Sequence, residues 1–315
     1  MVFSFRACVD AIVSSFRDCV NFFNKNFPQV STLVFQAPWF AWIQPPCVLS
    51  TEIKFEPVNP PRLEDCYEMG EFMGFGAGGF VVKATDKKTN KQVAIKRMVK
   101  SSKEEERLMA MKDCRYEIAS LIALRGHPNI CQLIDHFDQD NIVSLAMEYA
   151  EHGDLCTLIE TNKDGKLPEE MVKHIAKQLL EAIKACHDKN IVHRDIKLEN
   201  ILITKINGDK LTVQLADFGL ATNCKHPLIR GCGSKPYMAP EMLSKAWYNK
   251  SVDIWSFGCL IYVLLTDVAP VDGFISQMNL DGLSMDAKDF LMKILQDIPS
   301  KRDPAAELLC HPWLL

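Results

Sequence analysis

Residues 193–200 read His-Arg-Asp-Ile-Lys-Leu-Glu-Asn, and an Asp-Phe-Gly turn begins at Asp217, seventeen residues after Asn200. Asp195, Lys197 and Asn200 place a carboxylate, an ammonium and a carboxamide at offsets of zero, two and five residues. Together with Asp217 they offer a base, a phosphate-binding cation and two oxygen ligands for a metal ion. Phosphoryl transfer needs such a set, because its transition state is stabilised mainly by positioning and by neutralising charge.

This pattern closely resembles the catalytic loop and the metal-binding turn of protein kinases. The resemblance implies that Asp195 accepts or orients the proton of a substrate hydroxyl, and that Lys197 neutralises the γ-phosphate of ATP during transfer. It also implies that Asn200 and Asp217 hold Mg²⁺ between the phosphates. Two protein ligands suffice because Mg²⁺ usually keeps several of its waters. ATP and Mg²⁺ are therefore the expected cofactors.

A glycine-rich stretch precedes this pattern in the chain. Gly74, Gly76 and Gly79 form Gly-x-Gly-x-x-Gly, whose backbone N–H groups can approach phosphate oxygens. Alone, the motif could equally begin a dinucleotide-binding fold. However, strand-forming residues follow Gly79, and Val-Ala-Ile-Lys at 93–96 comes next at the kinase-like spacing. This order favours the kinase interpretation, in which Lys96 holds the α- and β-phosphates.

A lysine inside an apolar strand needs an anionic partner, because an isolated buried charge is costly. Glu117, in the helical pattern of residues 104–124, is the first choice as the partner of Lys96. Residues 104–106 (Glu-Glu-Glu) are a weaker choice, since such a charge run is typical of a solvated face. A surface position remains the alternative for Glu117 itself.

Met147 to Ala150 resembles the hinge of the kinase family, with Met147 at the gatekeeper position and the backbone at the adenine edge. Asp154 could reach the ribose or a basic substrate residue, or it could simply cap a helix. The other nucleotide contacts that the resemblance implies are Val81, Ala94, Glu148 and Leu202.

Ser234 lies where the family places a hydroxyl that bonds to the catalytic aspartate and lysine. Together with Asp-x-Lys-x-x-Asn in the catalytic loop, this supports transfer to serine and threonine. Glu199 and Asp154 could together favour basic residues upstream of the acceptor. The resemblance further implies that Glu241 pairs with Arg302, and its general character is nearest to calmodulin-dependent and AMP-activated kinases.

Two regions depart from the family pattern. Arg230 stands where many kinases carry a phosphorylated residue, and residues 224–231 contain no Ser, Thr or Tyr. We therefore predict activity without activation-loop phosphorylation, with Thr222 as a remote alternative site. In addition, the stretch 270–283 is short, and Asp267 and Val271 replace the usual glycine and phenylalanine. Partner docking through this region cannot be transferred from the family.

The patterning along the chain predicts an α+β class, and the resemblance implies a bilobal protein kinase fold. A small β-rich lobe with one key helix is expected at 67–147, a hinge at 148–151, and a larger, mainly helical lobe at 152–314. Amphipathic helices are expected at 168–187 and 251–266, and the resemblance implies that the second anchors the catalytic loop.

Residues 1–66 differ from the rest and form a predicted N-terminal extension. Apolar residues recur there at intervals of three or four, as in an amphipathic helix, and a proline-rich linker follows. The simplest interpretation is a helix packed on the following domain. Residues 1–45 could instead contact a partner protein or a membrane surface.

Composition bounds the remaining choices. A formal charge of −4 gives no bulk attraction to nucleic acid, so no nucleic-acid partner is expected. The twelve cysteines include no Cys-x-x-Cys pair, and Asp10 and Asp18 interrupt the first apolar stretch, which argues against a signal peptide. An intracellular, cytoplasmic protein with reduced thiols is expected, with the nucleus or a membrane surface as alternatives.

These features together predict an ATP-dependent serine/threonine kinase that acts on protein substrates. Two alternatives remain at this point. A pseudokinase that serves as a scaffold has its only support in the altered region 267–283. A small-molecule kinase of similar fold fits the Ala-Pro-Glu sequence at 239–241 and Ser234 less well.

Overall fold

The computed structural model describes residues 61–76, 79–100, 103–139, 141–162, 165–268 and 278–315. The chain divides into two units, Met1–Asn59 and Pro60–Leu315, and the description below concerns the second. The predicted amphipathic helix, the possible contact surface of residues 1–45 and most of the proline-rich linker lie outside the described residues.

The small lobe is built on a five-stranded antiparallel sheet with the strand order β1-β2-β3-β5-β4. Its elements are α1 (Leu63–Cys66), β1 (Tyr67–Gly76), β2 (Gly79–Asp86), β3 (Gln92–Val99), α2 (Glu104–Ala123), β4 (Leu133–Gln139) and β5 (Ile142–Glu148). Side chains alternate between the faces of each strand, so Ala84, Val93 and Ile95 share one buried core. Leu63 of α1 packs into the same core.

The large lobe is mainly helical, with short strand pairs that carry the sequence motifs. Its elements are α3 (Leu155–Thr161), α4 (Glu169–Asp188), β6 (Ile191–Val192), β7 (Ile201–Asn207), β8 (Lys210–Leu215), β9 (Thr222–Asn223), α5 (Pro240–Leu243), α6 (Ser251–Thr266), α7 (Met285–Ile294) and α8 (Ala305–Leu308). The antiparallel pairs β6–β9 and β7–β8 bracket the catalytic loop and the Asp-Phe-Gly turn. The two motifs are thereby brought side by side.

Helix α4 is amphipathic as the spacing predicts, with Val172, Leu179 and Ile183 buried along one side. The prediction of an amphipathic helix over 251–266 is wrong, because α6 is buried on every side from Val252 to Leu265. A helix that is apolar all round occupies the centre of a lobe rather than its surface. Within the described ranges, no helix is both long enough and apolar enough to cross a membrane.

Asp267, the residue that replaces the family's usual glycine, directly follows the last residue of helix α6. Its backbone is left-handed, with φ of 60° and ψ of 21°. Aspartate tolerates this conformation better than most residues, so the helix keeps the type of ending that glycine usually provides. Residues 269–277, including Val271, lie outside the described part of the chain.

Candidate active site

The catalytic loop forms one hydrogen-bonded set with the activation segment. Asp195 is buried, and its Oδ1 accepts hydrogen bonds from the Ser234 N–H at 3.0 Å and from the Ser234 hydroxyl at 2.9 Å. The Lys197 ammonium lies 3.1 Å from Ser234 Oγ and 3.3 Å from Asp195 Oδ2. The three residues that the sequence analysis related to each other therefore meet at one point.

Asn200 is oriented by the same carboxylate. Its Nδ2 donates to the Asp195 carbonyl at 2.7 Å and to Asp195 Oδ2 at 3.1 Å. Because the amino end of the amide is used in this way, Oδ1 is the atom that Asn200 can offer to a metal ion. The backbone adds a further link, since the Ala216 N–H donates to the Asn200 carbonyl at 2.9 Å. This bond holds the strand leading to Asp217 against the loop.

Lys96 joins the two lobes at the Asp-Phe-Gly turn. Its Nζ lies 2.7 Å from Glu117 Oε1 and 2.7 Å from Asp217 Oδ1. Burial acts to lower the pKa of Lys96, but the two carboxylates outweigh it and raise the pKa above its usual value. Glu117 is 1% exposed, so the surface alternative does not apply, whereas Glu104 and Glu105 are exposed at the start of α2. The predicted pairing of Lys96 with Glu117 thus agrees with the structure.

Four of the residues assigned to the nucleotide, Val81, Ala94, Lys96 and Met147, lie on one face of the small sheet. Val81 pairs across the strands with Lys96, and Ala94 pairs with Met147. Cross-strand partners share a face, and so do residues two apart on a strand, which places these side chains on the Lys96 side of the sheet. Because Lys96 reaches Asp217 from this face, the side chains form one wall of the space beside the turn.

The glycine-rich stretch forms the hairpin between β1 and β2, with Gly74 opposite Val81 and Gly76 opposite Gly79. Residues 77–78 at its tip lie outside the described part. A Cβ on Gly79 would lie 2.2 Å from the Arg97 carbonyl oxygen, so this position requires glycine because β3 approaches so closely.

Residues around the hinge have defined structural contacts. The Glu148 carboxylate accepts a hydrogen bond from Gln214 Nε2 at 3.2 Å. Asp154 caps α3 by accepting the Thr157 N–H at 2.8 Å, which is the simpler of the two roles considered for it. The backbone of Asp154 also pairs with Leu202. Ala150 is half-buried and Glu199 is exposed.

A buried aspartate on α6 binds the backbone of the catalytic loop. Asp253 is 1% exposed, and it accepts the backbone N–H groups of His193 and Arg194, each at 2.9 Å. His187 Nε2 lies 3.0 Å from the same carboxylate. Burial acts to raise the pKa of Asp253, but the His187 contact and the loop N–H groups hold it below its usual range. Sequence reasoning missed His187, because no local pattern links it to a residue 66 positions away.

We expect Asp253→Asn to lower the free energy of unfolding by about 1.5–3 kcal/mol at neutral pH, the range for hydrogen bonds to a charged group. The folded-state pKa of Asp253 is depressed, so its contribution is present above the unfolded pKa of about 3.9 and is lost as pH falls through the folded value. Urea unfolding of wild type and Asp253→Asn should therefore show a difference in the free energy of unfolding that becomes smaller from about pH 7 to about pH 3.5. A difference that stays constant over this range would contradict the assignment.

Gly233 is a second site residue that the sequence analysis did not single out. Its φ is 102°, and a Cβ at this position would lie 2.4 Å from the Arg194 carbonyl oxygen. The glycine therefore lets the chain pass close to the catalytic loop before Ser234 reaches Asp195. The sequence feature that could have indicated this role is that Gly233 directly precedes Ser234.

Gly233→Ala is expected to displace Ser234 from Asp195 and to lower kcat by about tenfold or more, since small misplacements at an active site are costly. Gly208→Ala is the matched control, because Gly208 also has a positive φ of 59° but has no atom within 4 Å of the added Cβ. It also places a Cβ at a positive φ, on the β7–β8 turn, where the backbone strain is smaller than at Gly233. Comparable kcat losses in the two variants would refute a specific role for Gly233.

The activation segment carries two cysteines, Cys224 and Cys232, which could serve redox control or be inert. Both thiols are half-buried, and burial raises the pKa of Cys224 and of Cys232. Reactive thiols need a lowered pKa, so these surroundings favour the inert role.

Glu241 and Arg302 form the buried pair that the resemblance implied. Arg302 Nη1 and Nη2 donate to the two Glu241 carboxylate oxygens at 2.6 and 2.8 Å. The guanidinium also lies over the Trp255 ring, 4.9 Å from its centre. The pair fixes the end of the activation segment to the core of the large lobe.

The comparisons with known proteins confirm the resemblance. A model of the protein kinase domain matches residues 67–314. Mouse serine/threonine-protein kinase DCLK3 is 32% identical over 269 residues, 80% of this chain and 33% of that protein. Myosin light chain kinase A of Dictyostelium discoideum is 34% identical over 272 residues, 80% of this chain and 89% of that protein. The rice calcium/calmodulin-dependent serine/threonine-protein kinase 1 is 32% identical over 268 residues, 79% of this chain and 44% of that protein.

The two lobes and the polar residues gathered at the Asp-Phe-Gly turn define a phosphotransferase of the bilobal type. The chain belongs to the protein kinase family, and its kinase domain is of the serine/threonine type. The family implies ATP and protein molecules as its substrates. The chain spans about a third of the length of the mouse relative.

Proposed function

We propose that this protein is an active, Mg²⁺-dependent serine/threonine kinase that transfers the γ-phosphoryl group of ATP directly to protein hydroxyls. The observation that carries this proposal is that side-chain contacts connect the catalytic residues of the small lobe with those of the large lobe. Lys96 contacts Glu117 and Asp217 at 2.7 Å, while Ser234 links Asp195 to Lys197. The first set would also serve a scaffold that binds nucleotide, but Asp195 and Lys197 are the groups that only phosphoryl transfer requires.

The donor set suits the metal. Asn200 and Asp217 supply a carboxamide and a carboxylate oxygen, which are hard ligands of the kind that Mg²⁺ prefers. When bound, the ion would neutralise charge on the phosphates. Lys96 would bind the phosphates from the small lobe, and Asp195 would orient the acceptor hydroxyl and receive its proton. Lys197 would balance charge on the transferring group.

We further propose that the kinase is active without phosphorylation of its activation segment. The sequence from 224 to 231 offers no hydroxyl side chain. The Arg194 guanidinium also has protein partners, donating to the Leu220 carbonyl at 2.7 Å and to the Tyr248 hydroxyl at 3.1 Å. Both observations support a segment that is ordered by the chain's own groups.

The test is transfer of radiolabelled phosphate from ATP to casein or myelin basic protein, with protein pretreated with phosphatase. Wild type should transfer phosphate, and Asp217→Ala should not. Equal signal from the two proteins would favour the scaffold alternative. If phosphatase abolished activity and a site were mapped to Thr222 or to another hydroxyl between Asp217 and Glu241, activation-independence would fail while the kinase assignment stood.

The substrate preference is a separate proposal. Glu199 is exposed beside the catalytic loop, and Asp154 at the start of α3 adds a second carboxylate. We propose that they favour Arg or Lys upstream of the acceptor residue. A positional-scanning peptide library should show this preference in wild type and a reduced one in Glu199→Gln. A library without any preference for basic residues would exclude the proposal.

A further inference from the structure

Tyr248 connects three separate parts of the active site. Its ring is 3% exposed, and its backbone pairs with Leu228 through two hydrogen bonds of 2.8 Å. Its hydroxyl accepts a hydrogen bond from Arg194 Nη1 at 3.1 Å and donates one to the Arg230 carbonyl at 2.5 Å. A neutral hydroxyl can thus join a cation on one side to a carbonyl on the other.

Arg194, on the other side of this hydroxyl, is fixed at two further points. Its Nε donates to the Leu220 carbonyl at 2.7 Å, and its backbone N–H donates to Asp253 at 2.9 Å. Leu220 lies just beyond the metal-binding turn, and Arg194 directly precedes Asp195. The guanidinium therefore connects the turn to the catalytic loop, and Tyr248 extends this connection to Arg230 in the activation segment.

The link to the activation segment runs through the backbone of Arg230 rather than through its side chain. The Arg230 guanidinium lies 3.7 Å from Asp113 on α2, but the two side chains are 59% and 39% exposed. Exposed ion pairs of this kind contribute little. By contrast, the bonds around the Tyr248 hydroxyl are partly buried, where an unsatisfied group is costly.

We propose that Tyr248 is a positioning residue for phosphoryl transfer. By joining Arg194 to the Arg230 carbonyl, its hydroxyl holds residues 230–234 in place, so that Ser234 meets Asp195. A phosphate in this region could only accept hydrogen bonds from the arginine, whereas the tyrosine hydroxyl also donates to the segment itself. The inference rests on the proposed activity without phosphorylation and names the residue that makes it possible.

The first test compares Tyr248→Phe with Tyr262→Phe in phosphatase-treated protein. Tyr262 is also buried, and its hydroxyl bonds to the Asn279 backbone at 3.1 and 3.4 Å in the same lobe. Tyr248→Phe should lower kcat about tenfold and leave KM for ATP within about twofold, which corresponds to the loss of a charge-assisted hydrogen bond. Tyr262→Phe should lower thermal stability but leave kcat within about twofold.

The second test reads the activation segment directly, without activity. Trypsin cleaves after Arg230, and the hydrogen bond from Tyr248 holds the carbonyl of that peptide bond. Cleavage at this bond should be several times faster in Tyr248→Phe than in wild type or Tyr262→Phe. Adding Arg230→Ala to Tyr248→Phe should abolish the fragment and so identify the bond.

The outcomes separate this inference from the proposed function. If Tyr248→Phe keeps both the wild-type kcat and the slow cleavage at Arg230, the inference is wrong even though the kinase is active. If wild type loses its activity on phosphatase treatment, the proposed activity without phosphorylation fails, and the cleavage rates still decide whether Tyr248 holds the segment. Should Tyr248→Phe not fold, Arg194→Met removes the other end of the link, and unchanged cleavage at Arg230 in that variant overturns the inference.

Discussion

Asp195→Asn is expected to lower kcat by about 10²–10⁴-fold, the range for loss of a general base. The substitution keeps the size of the side chain but replaces one acceptor oxygen with a donor. In the structure both oxygens of Asp195 receive donors, from Ser234 on one side and from Asn200 and Lys197 on the other. In either orientation the new amide therefore points its NH₂ group at another hydrogen-bond donor. The repulsion between the two donors would displace the side chains around residue 195, in addition to removing the base.

Steady-state kinetics and calorimetry of ATP with Mg²⁺ together check this prediction. Nucleotide affinity should change much less than kcat, because Asp195 orients the metal ligand Asn200 but is not itself assigned to the nucleotide or the metal. Asp209→Asn is the matched control, since Asp209 is exposed on the β7–β8 turn. A kcat for Asp195→Asn within about fivefold of wild type would rule out the assigned role of Asp195.

Arg302→Met is expected to give the largest loss of stability, about 3–5 kcal/mol, because it leaves the Glu241 carboxylate buried without its cation. The Arg302 side chain is fully buried, and it also donates to the Gln296 carbonyl at 2.8 Å and the Ser251 carbonyl at 3.2 Å. Its loss thus frees three segments of the large lobe at once. Urea unfolding measures the effect through the shift of the midpoint.

The double variant Glu241→Leu with Arg302→Met distinguishes a buried unpaired charge from a general loss of packing. Removing both charges should recover part of the stability lost in Arg302→Met, since an apolar pair avoids the uncompensated carboxylate. Lys184→Met, which breaks the exposed pair with Asp188, is the control and should hardly shift the midpoint. If adding Glu241→Leu lowered the stability of Arg302→Met further, instead of recovering part of it, the charge argument would be wrong.

The sequence predicts the parts of the site whose residues lie close together in the chain. Asp195, Lys197 and Asn200 lie within six residues, and an apolar strand around Lys96 required a carboxylate, which pointed to Glu117. Contacts between distant residues without such a requirement were not foreseen. The bond from Arg194 to Tyr248 spans 54 residues, and nothing in either local sequence indicates it.

In the fold, too, local features were predicted and features that depend on distant residues were not. The alternation of the small-lobe strands and the stripe of α4 arise from one element facing one core, so local periodicity reveals them. The burial of α6 on every side depends on which other elements surround it. A local pattern does not contain that information, and the predicted amphipathic helix at 251–266 was wrong for this reason.

The surroundings of the thiols bear on how the protein can be handled. Burial raises the pKa of Cys114 and Cys156 to about 11 and that of Cys131 and Cys259 to about 12. At neutral pH only about one molecule in ten thousand carries the nucleophilic form of a thiol with a pKa near 11. Maleimide dyes and air oxidation should therefore act slowly at these four positions. Within the described ranges, exposed Cys310 is the natural point for attaching a fluorophore.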